Sequence, residues 1–400
     1  MGTISNKINN LEESATLAMT KKSRELKAQG LDIINLSIGE PDFNTPEFIK
    51  EAAKKAIDED YTHYTPVAGY LELREAIAEK LKRDNGIEYT ANQIIVSTGA
   101  KQSLSNAFNT ILNPGDEVII PAPYWVSYSD MVTLCDAKGV IIKTKISNDF
   151  KVTPQEIEKA ITPKTKAIIF SSPCNPTGTV YTKEDLKAIA DVIVKHPNMY
   201  IISDEIYEHI NFDSVHESIA QFKEVKDQVI VINGVSKGFA MTGWRIGFLA
   251  ASREIANASL KLQGQTTSGT NSIAQRAAIT AFKTNPKECT DLQNMVKAFH
   301  RRRDLFISLL SDIPEFVMNV PSGAFYLFPN VEAFFGRSNG NITINTATDL
   351  VMYILDEANV ALVTGEAFGD PSCIRFSYAT SEENLRKAAK RIKMACDKLK

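Results

Sequence analysis

Four chemically useful positions in this 400-residue sequence each follow a short run of β-branched residues. Gly99-Ala100-Lys101 follows residues 94–97, Asn175 follows 167–170, Asp204 closes 200–203 and Lys237 follows 229–232. In a doubly wound sheet, ligands bind outside the carboxyl ends of the strands, so these positions are expected at one site. A lysine desolvated by neighbours such as Phe239 and Met241 keeps a neutral amine accessible near neutral pH, the requirement for imine chemistry on a carbonyl. A carboxylate at the end of an apolar strand, as at Asp204, is costly unless paired. Gly99-Ala100 opening a helix offers backbone N–H groups and the positive end of a dipole to a phosphate. Taken singly, each has an ordinary explanation: a solvated lysine, a turn aspartate, a strand-to-helix glycine.

The surrounding pattern supplies the elements that must hold them. Seven candidate strands, 94–97, 117–120, 140–143, 167–170, 200–203, 229–232 and 246–250, alternate with stretches of helical period, the texture of a mostly parallel sheet sandwiched by helices. Helices are expected over 101–112, stopped by Asn113-Pro114-Gly115-Asp116, and over 183–194 with Thr182 as N-cap. After a long polar helix near 291–310 the texture changes to short strands around 324–328, 361–363 and 374–377, with helices at 346–357 and 382–398. We read an α/β chain in which 45–290 form a large domain, while 291–400 form a smaller α/β domain joined by the N-terminal segment 1–44. Ser338-Asn339-Gly340-Asn341 is a surface loop.

The block Ser236-Lys237-Gly238-Phe239-Ala240-Met241-Thr242-Gly243-Trp244-Arg245-Ile246-Gly247 resembles the class I, fold-type I aminotransferases, which depend on pyridoxal 5'-phosphate (PLP). The match continues in order through Gly39-Glu40-Pro41-Asp42-Phe43, Tyr124-Trp125, Ser172-Pro173-Cys174-Asn175-Pro176-Thr177-Gly178, Asp204-Glu205-Ile206-Tyr207 and Arg375-Phe376-Ser377. The resemblance implies a PLP-dependent transferase fold with Lys237 as covalent cofactor anchor and general base. It implies Asp204 as partner of the ring nitrogen, Tyr207 and Asn175 on the ring's phenolic oxygen, and Trp125 stacked on the ring. Phosphate falls to Gly99, Ala100, Lys101, Ser236 and Arg245, with Tyr64 reaching across from a second subunit. Many relatives carry a hydroxyl three places before the lysine; here that position is Gly234, so one contact is missing or is supplied by Ser97, Ser236 or a partner subunit.

For the substrate, the resemblance makes Arg375 the bidentate clamp on the α-carboxylate, completed by Asn175 and the backbone of Gly39. Read from its strand alone, Arg375 alternates with Ile374 and Phe376 and is a solvated edge arginine. Lys101 and Thr16, the latter in Ser14-Ala15-Thr16-Leu17-Ala18, match the bacterial and plant branch of aspartate aminotransferases. There they imply a site for a second carboxylate, and some members of that branch also accept prephenate. The expected reaction moves the amino group of aspartate to 2-oxoglutarate in a homodimer with shared sites. Aromatic or alanine aminotransferases, C–S lyases, decarboxylases and aminocyclopropane-carboxylate synthases share the cofactor residues and are the alternatives.

Other classes fit poorly. A formal charge of −3, from 45 basic against 48 acidic residues, provides no general field for nucleic acid or anionic membrane. Residues 1–44 carry no helix-turn-helix pattern for a PLP-sensing regulator, and no GxGxxG follows a strand, which disfavours a nicotinamide dehydrogenase. The five cysteines, 135, 174, 289, 373 and 396, are odd in number and widely spaced, suggesting no metal site or disulfide framework. Residues 1–6 have neither a signal peptide's apolar run nor, with Asn6, a myristoylation pattern, so a cytoplasmic location is expected.

Overall fold

A computed structural model describes residues 4–400 apart from 10, 12–14 and 214. Residues 1–3 of the N-terminal run and Ser14 of the run at 14–18 therefore lie outside the described residues.

All seven expected strands form one sheet. They are β1 (Ile94–Thr98), β2 (Glu117–Ala122), β3 (Lys138–Lys143), β4 (Thr165–Ser171), β5 (Tyr200–Asp204), β6 (Val229–Gly234) and β7 (Ile246–Ala250). Their order across the sheet is β1-β7-β6-β5-β4-β2-β3. β7 runs antiparallel to both neighbours and the remaining pairs are parallel. Central strands buried on both faces read as continuous apolar runs, and each face feeds a different core. Val229 and Val231 pack into one hydrophobic cluster, Ile230 and Ile232 into the other.

The helices obey local signals. Thr182 caps Lys183–Ile193 and closes a reciprocal box with Asp185. Thr346 does the same for Ala347–Ala358 with Asp349. The long polar helix spans Thr290–Leu310 and packs on Glu382–Cys396.

One expected strand is corrected. Instead of a single strand at 361–363, Val360–Ala361 pairs in parallel with Ile34–Asn35, and Val363–Thr364 pairs antiparallel with Ile374–Ser377. The chain passes from one small sheet to the next at the fully buried Leu362, a change of partner that local periodicity does not encode. Ile374–Ser377 pairs on its other side with Tyr326–Leu327 and is buried on both faces.

Register carries the functional positions to one edge of the large sheet. Ser171 lies opposite Asp204, Asp204 opposite Ile232, Gly234 opposite Gly247, and Thr98 opposite Ile246. Because β7 is antiparallel, its first residues stand beside the last residues of β1 and β6, so Arg245 enters at the same edge as Asp204 and Lys237.

Behind that edge the turn after β5 is anchored by buried charge. Glu208 pairs with Lys80 and accepts from Asn85 Nδ2 at 2.8 Å, while Glu205 accepts from the hydroxyls of Ser203 (2.9 Å) and Ser218 (2.7 Å). Glu205, Glu208 and His216 bring ligand-type atoms within 4.8 Å of one another. Glu208 is engaged by Lys80 and Asn85, and Glu205 by the two serines and by His216 Nε2 at 3.1 Å, so both carboxylates are held within a buried network.

Candidate active site

The phosphate-type end of the cleft is built by glycine packing. Gly99 has φ 79° and leads into the helix Ala100–Ile111. A side chain at Gly247 would put Cβ 2.2 Å from the Ala100 nitrogen, and one at Gly99 would put it 2.3 Å from an Arg245 nitrogen. Glycine at both positions thus lets the helix start, β7 and the Arg245 guanidinium touch. Arg245 itself takes φ 58° and donates to the Thr242 carbonyl at 2.9 Å and to Thr98 at 3.4 Å. Ser236 is buried and lines the same cleft. Ser97 does not serve there: its hydroxyl is buried against Gln263 Oε1 at 2.7 Å. Gly234 also has a packing reason, since a Cβ there would stand 2.7 Å from the Ile246 carbonyl and 2.9 Å from the Gly247 Cα.

The floor holds a carboxyl and an amine, both displaced from their usual acidity. Asp204 is 4 % exposed, with Tyr128 Oη donating to Oδ2 at 2.7 Å and the Ile206 amide to Oδ1 at 3.3 Å. Burial pushes its carboxyl up to about 6, against the opposing pull of those two donors. The Lys237 amine donates to the Gly39 carbonyl and lies 5.6 Å from the Tyr207 ring centre and 5.9 Å from that of Phe325. Burial pushes it down to about 8; Glu40 opposes that fall, and Arg375 and Arg245 add to it. Tyr207 Oη sits 2.7 Å from Tyr326 Oη, and Trp125 meets Tyr128 edge-on at 5.5 Å.

At the other end, Arg375 is 1 % exposed. The solvated edge arginine expected from its strand is therefore corrected, because the strand is covered on both faces and the guanidinium turns inward. It donates to Asn175 Oδ1 at 2.9 Å and to the Ser37 carbonyl at 2.6 Å, and lies between the rings of Tyr326 (4.7 Å) and Phe368 (4.8 Å). Both acceptors are neutral, and its buried Nε has no partner. Lys101 faces the cleft with its ammonium 5.1 Å from the Trp125 ring centre, its pKa lowered by burial and then by the Arg245 charge. Thr16, on the helix Ala15–Ala28, lines the cleft nearby.

One cleft thus gathers Thr16, Gly39, Ala100, Lys101, Trp125, Asn175, Asp204, Tyr207, Ser236, Lys237, Arg245 and Arg375, with Gly99 behind Ala100. Tyr64 stands apart, fully exposed, beside Gly269–Ser272 in the same chain. Sequence reasoning missed Tyr128, Tyr326, Ser37 and Phe368. Tyr128 was findable, being three residues after Trp125 at a helix start and so beside it. Tyr326 and Phe368 sit in apolar surroundings that carry no polar signal.

The displaced carboxyl has a stability consequence. A group whose folded pKa lies above the ordinary carboxylate value of about 3.9 binds more protons folded than unfolded, so stability falls as pH rises from roughly 4 to 6. Asp204→Asn in the cofactor-free protein should flatten that decline and raise stability at neutral pH by roughly 2–3 kcal/mol. Urea unfolding of both proteins between pH 4 and 7 checks this; parallel curves would refute the burial argument.

Residues 31–392 match the family model described as aminotransferase class I and II. The chain is 45% identical over 394 residues to a Petunia hybrida protein named bifunctional aspartate aminotransferase and glutamate/aspartate-prephenate aminotransferase, covering 98% of this chain and 82% of that one. It is 45% identical over 397 residues to the aspartate aminotransferase of Bacillus subtilis, covering 99% of each. The crystal structure of the aspartate aminotransferase from Rhizobium meliloti superposes with a TM-score of 0.96 at 41% identity, covering 100% of both chains. The seven-stranded, mostly parallel sheet, the cleft at its carboxyl edge and these matches over nearly the whole length agree, and the chain belongs to the class I and II aminotransferase family.

Proposed function

We propose that this protein is a PLP-dependent aspartate aminotransferase that moves the amino group of aspartate to 2-oxoglutarate. The observation that carries the reading is Arg375: a fully buried guanidinium held by two neutral oxygens and two aromatic faces, with an orphan N–H. An unpaired buried cation is expensive, and a ligand carboxylate received in its fork removes that cost.

The residues fit PLP as its holder. The Ala100 amide, Ser236 and Arg245 form an anion cradle, and any side chain at Gly99 would run into the Arg245 guanidinium. When bound, pyridoxal 5'-phosphate supplies an aldehyde that condenses with amines and a ring that accepts electron density from the substrate Cα. Asp204, anionic at neutral pH and held by Tyr128, would stabilise a proton on the ring nitrogen. Tyr207 and Asn175 are the groups that would donate to its phenolic oxygen, and Trp125 would offer a flat apolar face and exclude water. Lys237, its amine made accessible by burial, would be the covalent anchor and, once freed, the base that moves the substrate Cα proton.

Arg375 with Asn175 and the Gly39 backbone hold the α-carboxylate. Lys101 and Thr16 receive the distal one, which distinguishes dicarboxylates from alanine. A lysine is a point charge on a flexible stem, so the same position can meet the ring carboxylate of prephenate, an activity printed in the name of the petunia relative. We also read residues 1–44 with 291–400 as a small domain closing over 45–290, in a cytoplasmic homodimer where Tyr64 reaches the other subunit's phosphate. The full exposure of Tyr64 outside its own cleft supports that last part.

Adding aspartate to the yellow, PLP-loaded protein should convert its spectrum to the pyridoxamine form and release oxaloacetate, with borohydride-trapped label mapping to Lys237. Ammonia or carbon dioxide as product would favour a lyase or decarboxylase instead. Lys101→Ala should raise KM for aspartate by tenfold or more, about 1.4 kcal/mol, and leave alanine turnover nearly unchanged; an intact aspartate preference defeats the Lys101 role. On sizing chromatography the active species should run as a dimer, and a fully active monomer would contradict the shared site.

A further inference from the structure

Tyr326 lies outside the cleft lining, yet it touches three parts of the site. It belongs to the short strand Tyr326–Leu327, pairs in register with Ser377 two residues beyond Arg375, and is fully buried. Its ring lies against the Arg375 guanidinium at 4.7 Å, its hydroxyl is 2.7 Å from that of Tyr207, and a Cβ at Gly39 would stand only 2.8 Å from the same hydroxyl.

Two phenols in contact have two arrangements, because each hydroxyl has one proton to give. If Tyr207 donates to Tyr326, Tyr207 faces the cleft as an acceptor only. If Tyr326 donates to Tyr207, the Tyr207 proton is left to point into the cleft. An electron-rich phenolic oxygen on the cofactor selects the second arrangement. The Arg375 charge against the Tyr326 ring favours it too, since a neighbouring cation makes a phenol a better donor. Burial keeps both phenols protonated.

We propose that Tyr326 is a positioning residue that donates to the Tyr207 hydroxyl and so sets Tyr207 to donate to the cofactor's phenolic oxygen. The inference rests on the cofactor reading above. Its chemical consequence is specific. A donor on the phenolic oxygen disperses the negative charge that holds the cofactor's neighbouring titrating proton, so weakening that donor raises the pH at which the visible absorption changes.

The test titrates the visible spectrum of PLP-loaded wild type, Tyr326→Phe, Tyr207→Phe and the double variant. Tyr326→Phe should move the midpoint upward by roughly half a unit to one unit, the scale of one neutral hydrogen bond, and Tyr207→Phe should move it further. In the Tyr207→Phe background the second substitution should add nothing, because Tyr326 acts only through Tyr207. Since phenylalanine keeps the aromatic face under Arg375, KM for aspartate should stay within about twofold while kcat falls. A wild-type midpoint in Tyr326→Phe, or an undiminished shift in the double variant, overturns the proposal while leaving the cofactor reading standing. A wild type that shows no PLP on Lys237 removes both.

Discussion

Three ionisable groups converge where the interior disfavours charge, and the rest of the site is organised around keeping them. Asp204, Lys237 and Arg375 all feel burial as their largest perturbation. Each meets partners within the chain that are too few or too neutral to neutralise it: a phenol and an amide for Asp204, a carbonyl for Lys237, an amide oxygen and a carbonyl for Arg375. A cleft with this many displaced, under-partnered ionisable groups has the character of a functional site.

Holding such groups in place takes a rigid frame, and here the frame is sheet register. The parallel strands end in line, and the antiparallel β7 returns Arg245 to the edge where the others finish. Gly99, Gly234 and Gly247 let backbone lie on backbone at that edge. A side chain at Gly234 has no room without moving β7, and of Ser97 and Ser236 only Ser236 lines the cleft. The segment at 39–45 is pinned to the turn bearing Lys237: Thr242 reaches Glu40 at 2.9 Å, Thr45 reaches the Ala240 carbonyl at 2.9 Å, and Trp244 reaches Thr45 at 3.0 Å. Arg302 anchors the same segment from the long helix through Asp42 at 2.7 Å. The turn bearing Lys237, the segment 39–45 and the long helix Thr290–Leu310 are therefore tied together.

Much of this was legible in the linear chain. Strands with β-branched runs, helices with Thr-x-x-Asp boxes and the polar residues just after strands are local signals, and they carried the seven strands of the large sheet and most of the cleft. The resemblance supplied the roles that single residues could not, since an isolated lysine or aspartate has an ordinary explanation at every one of these positions. What failed was local inference about exposure. Alternation around Arg375 suggested solvent, because periodicity reports which residues share a face and not whether a second layer covers the other face.

By itself, then, the order of residues determined the elements, their likeness to a known family and the identity of the chemical groups, all of which depend on neighbours close in the chain or on motif spacing. Only tertiary structure decided that Arg375 is buried without a counter-charge, that residues 360–364 divide between two sheets, and that Tyr128 and Tyr326 stand behind Asp204 and Tyr207. Those facts arise from contacts between segments that are separate in the chain, from Thr364 with Ile374 to Ile34 with Val360. Burial and hydrogen-bond pairing are properties of such contacts, so no local pattern records them.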